Sequence, residues 1–200
     1  IGAGERGQIY AGYALEHPDR CRVVGIAEPR AEVRERVADV HGIPPERQYA
    51  DWREAVSVPC FADAATITVQ DALHAEVAIA LAEKGYHLLL EKPMATSESD
   101  CEAITNAIDR NQVLCAVSHV LRYTPYTKKL KDLLGQGIIG DIVSVQHLEP
   151  LGYWHQAHSF VRGNWGKEGE STFMLMAKSC HDIDWLAYLI GVPCSKVSSF

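Results

Sequence analysis

The sequence predicts an α/β fold in which a doubly wound parallel sheet comes first and a different domain follows. Three observations predict it. Short apolar runs rich in β-branched residues alternate with helix-length amphipathic segments as far as residue 117. The runs are unbroken rather than alternating, as in strands covered on both faces. A glycine-rich turn, Gly-Ala-Gly-Glu-Arg-Gly at residues 2–7, sits where a first strand would pass into a first helix.

Each element follows from local pattern. Ile1 is the stub of a first strand, and residues 8–16 form the first helix. The run RVVGIA (22–27) is a buried strand. Residues 30–42 are helical and close on Gly42, a suitable C-terminal cap. Residues 44–52 read as a connection, and AATITV (64–69) as the next buried strand. Asp71 can cap a helix over 71–85, with Leu73, Val77 and Leu81 on one face. HLLL (87–90) is a strand. Ser97 and Asp100 offer a capping box for a helix to Asn111, whose stripe is Cys101, Ile104 and Ile108. VLCAV (113–117) is the last strand of this series.

The texture changes after residue 120. A helix over 124–137 carries lysines read as a solvated face, and 140–150 alternates like a strand with one wet side. Residues 151–170 form a long segment rich in aromatics, histidine and glycine; its length suggests function, and Trp154, Phe160 and Trp165 argue against disorder. The expected domains are 1–121 and 122–200. With no methionine at its start and an abrupt end, the chain reads as an internal piece of a longer protein.

Composition narrows the function. Of 200 residues, 47% are hydrophobic and 22% charged, as in ordinary globular proteins. The formal charge of −7 argues against a nucleic-acid partner, which needs a basic surface. No apolar stretch has the length of a membrane span. The six cysteines form no C-x-x-C pair, so buried reduced thiols in a cytoplasmic protein are expected. His155 and His158 have no partners to complete a metal site, so no metal is expected.

Gly2, Gly4 and Gly7 fit G-x-G-x-x-G. The first glycine allows the tight turn, the second lets backbone approach a pyrophosphate, and the third lets helix pack on strand. The helix N-terminus then faces the phosphates. Ala3, Glu5 and Arg6 lie within the same turn. Glu28, 21 residues past Gly7, is placed to accept the adenosine ribose hydroxyls, which favours NAD over NADP. Arg30 could accept a 2′-phosphate instead.

The run HLLLEKPMA (87–95) ends a buried strand on a charged pair and a proline. Ligands of doubly wound sheets sit beyond such strand ends. Lys92 there could donate or accept a proton, held extended by Pro93 or preceding a cis bond. A surface ion pair of Glu91 and Lys92 is the alternative, and spacing alone leaves both open.

GAGERG, IAEPR, DALH (71–74), EKPMA, SHVLRYTP (118–125), GIIGDIVSVQ (137–146) and CHDIDWL (180–186) together resemble the Gfo/Idh/MocA oxidoreductases, in the family's order. The resemblance implies a Rossmann doubly wound parallel sheet, then the start of an α+β domain with an open, mostly antiparallel sheet. It implies an NAD(P)-dependent dehydrogenase or reductase of sugars, inositols or related polyols. Lys92 matches the family's catalytic lysine and His181 its usual histidine partner. Val69, His74, Glu91 and Lys92 itself fall at cofactor-contacting positions. The family's common aspartate four residues before the histidine is Ala177 here. Lys178, one turn from His181, could take its place. His119, Arg122, His155, Arg162 and Trp165 are candidates for substrate contact. A small-molecule substrate and a homo-oligomer, dimer or tetramer, are expected. Two other readings stay open: a glycoside hydrolase that retains NAD, and a non-enzymatic dinucleotide-binding protein.

Overall fold

The computed structural model describes residues 1–163, 165–167 and 171–199. The chain divides into two compact units, Ile1–Ser118 and a second from His119 onward.

The first unit runs α1 (Glu5–Glu16), β1 (Ile26–Ala27), α2 (Ala31–His41), β2 (Gln48–Tyr49), α3 (Trp52–Ser57), β3 (Ala64–Ile67), α4 (His74–Glu83), β4 (His87–Leu90), α5 (Glu98–Asn111) and β5 (Cys115–Val117). Every strand pair is parallel: β1 with β2, and β3–β4–β5 in order. Ile1 and Gly2 join the two groups. The Gly2 N–H donates to the Ala27 carbonyl at 2.8 Å, and the Thr68 N–H donates to the Ile1 carbonyl at 2.9 Å. The lateral order is therefore β2–β1–Ile1–β3–β4–β5, a sheet wound outward both ways from Ile1.

Burial explains the apolar runs. Ile67 and Leu90 are fully buried with Val77 and Leu81 of α4 and Ile104 of α5. Each such side chain contributes about 1.5–3 kcal/mol relative to exposure. Helix ends match the expected chemistry at several points. The Ser97 hydroxyl accepts the Asp100 N–H, Thr124 accepts that of Thr127, and Gly42 closes α2 in the left-handed conformation.

Some elements differ. The strand expected over 22–27 is paired only at Ile26–Ala27; residues 22–25 line a cleft of about 720 Å³. The connection at 44–52 holds β2 and leads into α3, capped by Asp51. Asp71 does not cap α4. It opens a 3-10 turn, Asp71–Leu73, and its buried carboxylate accepts the Ala72 N–H. Leu73 consequently lies off the buried face, at 38% exposure. Cys101 and Cys115 are half-buried, while Cys21, Cys60 and Cys194 are exposed; none of the six is in a disulfide.

The second unit contains α6 (Pro125–Gly135), α7 (Tyr153–His155) running into a π-helical turn over Gln156–Val161, and α8 (Met174–Ile190). Residues 140–150 pair with no strand among the described residues, since a ladder needs a neighbour for its N–H and C=O groups. The expected loop is helical over residues 153–161, where Trp154, His155, Phe160 and Trp165 form a chain of ring contacts. Positions 164 and 168–170 of that segment lie outside the described residues. Lys131 is not simply solvated. Its ammonium donates to the Tyr188 and Leu189 carbonyls at the C-terminal end of α8, where a cation suits the helix dipole. Among the described residues no helix is long and apolar enough to cross a membrane.

Candidate functional site

The glycine turn is sterically committed. Gly2 has φ +83°, and a Cβ there would meet the Thr68 carbonyl oxygen at 2.8 Å. A Cβ on Gly7 would come within 2.3 Å of the Gly2 oxygen. At Gly4 nothing lies within 4 Å of that position, and no side chain caps α1. The first-turn N–H groups of α1 and an open backbone face therefore coincide, as a bound pyrophosphate requires. Arg6 is exposed beside them and Glu5 is the acid of that turn. This cradle fits a dinucleotide.

Glu28 is 3% exposed, and all its near acceptor positions are taken. Oε2 accepts the Ala3 N–H at 2.8 Å and Arg30 Nη2 at 3.1 Å. Oε1 accepts the Arg30 N–H at 3.1 Å and Arg30 Nε at 2.7 Å. Burial pushes the carboxyl pKa up, but the hydrogen bonds from Arg30 and Ala3 outweigh it and pull it from 4.5 down to about 2. A depressed carboxyl pKa stabilises the fold fully above the unfolded value and loses that contribution as pH falls toward the folded one. Glu28→Gln is accordingly expected to flatten the fall in Tm between about pH 4.5 and 2, read by thermal melts at half-unit intervals. A parallel wild-type curve would refute the coupling.

At the ends of β3 and β4 the loops are tied together. His74 is buried, with Nδ1 at 2.8 Å from the Pro93 oxygen and Nε2 at 3.3 Å from the Val69 oxygen. Its ring thus lies between the carbonyls of the two loops, and its tautomer decides which of them accepts the N–H. Glu91 Oε2 accepts the Lys92 N–H at 3.0 Å, Oε1 accepts the Tyr10 hydroxyl, and Arg6 Nε lies 3.8 Å away. Burial, then the bond to Glu91, raises the Tyr10 pKa. The Lys92–Pro93 peptide is cis, and Lys92 is half-buried. The charged pair thus divides its work, with the Glu91 carboxylate holding the backbone of Lys92.

In the second unit, His181 and Lys178 stand one turn apart on α8, and Ala177 is buried. The His119 and His181 rings meet edge to face at 5.8 Å. His119 Nε2 is 4.0 Å from Asp184 Oδ1. Arg122 is engaged by the same Asp184, through Nε at 2.7 Å and through Nη2, with its guanidinium 5.1 Å from the Tyr188 ring centre. His155 is stacked on Phe160, Trp165 packs against Phe160, and Arg162 is exposed.

The sequence pattern described as an oxidoreductase family with an NAD-binding Rossmann fold matches residues 1–119, and that family's C-terminal alpha/beta domain matches residues 131–200. The chain belongs to the Gfo/Idh/MocA family. A levoglucosan dehydrogenase of Pseudarthrobacter phenanthrenivorans is 29% identical over 166 residues, covering 83% of this chain and 42% of that protein. The NADP(+)-type scyllo-inositol 2-dehydrogenase IolW of Bacillus subtilis is 27% identical, covering 96% and 51%. The solved levoglucosan dehydrogenase in complex with NADH and levoglucosan superposes with a TM-score of 0.79 at 26% identity, over 95% of this chain and 53% of that one. The chain spans about half the length of the curated relatives it matches.

As a Gfo/Idh/MocA member the chain carries an NAD-binding Rossmann domain. Sequence reasoning missed Tyr10 and Asp184. Tyr10 is one turn past Gly7 on α1, where it read only as a helix residue. Asp184 is three residues past His181, a spacing that puts both on one face of α8 and could have flagged it.

Proposed function

We propose that the chain is the cofactor-binding part, and the beginning of the substrate-binding part, of an NAD(P)-dependent dehydrogenase or reductase. Its substrate would be a secondary alcohol or ketone of a sugar, inositol or related polyol. The observation that carries the reading is the pairing of an open glycine cradle with Glu91 gripping the Lys92 backbone in one Rossmann unit. The named relatives act on levoglucosan and scyllo-inositol, which supports the substrate class.

A bound nicotinamide supplies the hydride chemistry. Lys92 exchanges the hydroxyl proton of the substrate as general acid and base. His181 is the candidate for the same proton work in the second unit, with Lys178 on its face of α8. His155, Arg162 and Trp165 are the candidates for hydroxyl recognition. His119 and Arg122 serve by orienting: Asp184 engages Arg122 and lies near His119, which abuts His181. The protein is a cytoplasmic homo-oligomer in this reading, in keeping with its free thiols.

Calorimetry with NAD+ and NADP+, followed by a hydride-transfer screen of polyols, tests the proposal on the full-length protein. Binding of a dinucleotide and absorbance change with a polyol are expected. Arg30→Ala is expected to raise the preference for NAD+ over NADP+ by about tenfold or more, a difference of about 1.4 kcal/mol. That change removes a cation suited to a 2′-phosphate and frees two acceptor positions on Glu28 for ribose hydroxyls. No binding of either dinucleotide by folded protein would overturn the reading. Binding with aglycone release and no net NADH would turn it to a hydrolase.

A further inference from the structure

We propose that His147, Glu149 and Asp182 form a site for one divalent transition-metal ion, with zinc the best match. The ligand atoms of these three residues, one each, all lie within 4.8 Å of one another. His147 and Glu149 are two residues apart in one segment, and both bring a ligand atom to the cluster. Asp182 faces them from α8 and is buried. Two segments 35 residues apart thus converge on one point, which sequence spacing does not encode.

The donor chemistry selects the ion. One imidazole nitrogen with two carboxylates suits zinc and its neighbours, whereas magnesium and calcium prefer all-oxygen shells. Zinc bonds of about 2.0–2.2 Å would draw such atoms to roughly 3–3.5 Å apart. The His147 Nε2 to Asp182 Oδ1 contact, now 2.6 Å, would open slightly to admit the ion. The other separations are already within 4.8 Å. The Trp185 ring lies 5.2 Å from the imidazole and limits the swing of His147. Three protein ligands leave a fourth position for water or a ligand group.

A plain ion pair between His147 and Asp182 is the competing account, and metal content separates the two. Full-length protein stripped with a chelator is titrated with zinc chloride by calorimetry, and in parallel with cobalt(II) chloride, whose visible absorption reports tetrahedral nitrogen and oxygen ligation. One ion per chain is expected, with a cobalt band displaced by zinc. Glu149→Gln, at an exposed position that does not threaten folding, is expected to weaken zinc binding about 10- to 100-fold, and Asp182→Asn at least as much. Stoichiometric binding unchanged in both variants would overturn the proposal, as would the absence of any cobalt band from folded wild-type protein. The readout is metal content rather than turnover, so it stands whatever reaction the protein catalyses.

Discussion

Lys92→Ala is expected to lower kcat by about 10²- to 10⁴-fold, the span of a lost general acid–base group. Dinucleotide affinity should stay close to that of the wild type. The reason lies in how the site divides its tasks. Glu91 holds the Lys92 N–H at 3.0 Å and is itself held by Tyr10, so the turn keeps its backbone when the lysine side chain is removed. The cofactor cradle is built elsewhere, from Gly2, Gly4, Gly7 and the start of α1. Loss of turnover with binding intact is thus the signature of a proton carrier. Lys92→Arg should fail to restore activity, because a guanidinium does not release its proton at working pH. Calorimetry for binding and steady-state rates on the best polyol check this together. Full turnover at saturating substrate in Lys92→Ala would remove Lys92 from the mechanism.

Gly4→Ala and Gly7→Ala should fail in opposite ways. A Cβ at Gly7 meets backbone, the Gly2 oxygen at 2.3 Å, and cannot be accommodated by turning a side chain. Overpacking of about 1–3 kcal/mol corresponds to a Tm lower by about 2–12 °C in a chain of this size. A Cβ at Gly4 meets nothing within 4 Å, and its φ of −65° suits alanine. Its Tm should match the wild type, yet NAD+ should bind about ten- to hundredfold more weakly, because the methyl occupies the face that the pyrophosphate needs. Melts and calorimetry on the two variants separate the glycine that builds the turn from the one that admits the ligand. Equal affinity of Gly4→Ala and wild type would place the phosphates elsewhere.

Much of this was legible in order along the chain. Gly2, Gly4, Gly7 and Glu28 declare their geometry locally, since a turn and a strand end need only near neighbours in sequence. In the runs 64–67 and 87–90 composition pointed to burial, which Ile67, Leu88 and Leu90 reach, while Ala64 and His87 are exposed. Short elements were harder: β2 hides in a polar connection and α3 follows it, because two paired residues and six helical ones leave little periodicity to read. Helical turns at 153–161 were masked by glycine and aromatics that also suit a loop.

The sequence by itself determined the parallel sheet, the glycine cradle, the acid at residue 28 and the lysine at residue 92. Those features depend on side-chain periodicity and on backbone freedom within a few residues. Tertiary structure alone decided how they are used. It spent the Glu28 carboxylate on Ala3 and Arg30, and placed His74 between the Val69 and Pro93 carbonyls. It also bound Arg122 to Asp184 and brought His147 against Asp182. These pairings join residues 2 to 62 positions apart, and most are set by which elements pack together, which no local pattern encodes.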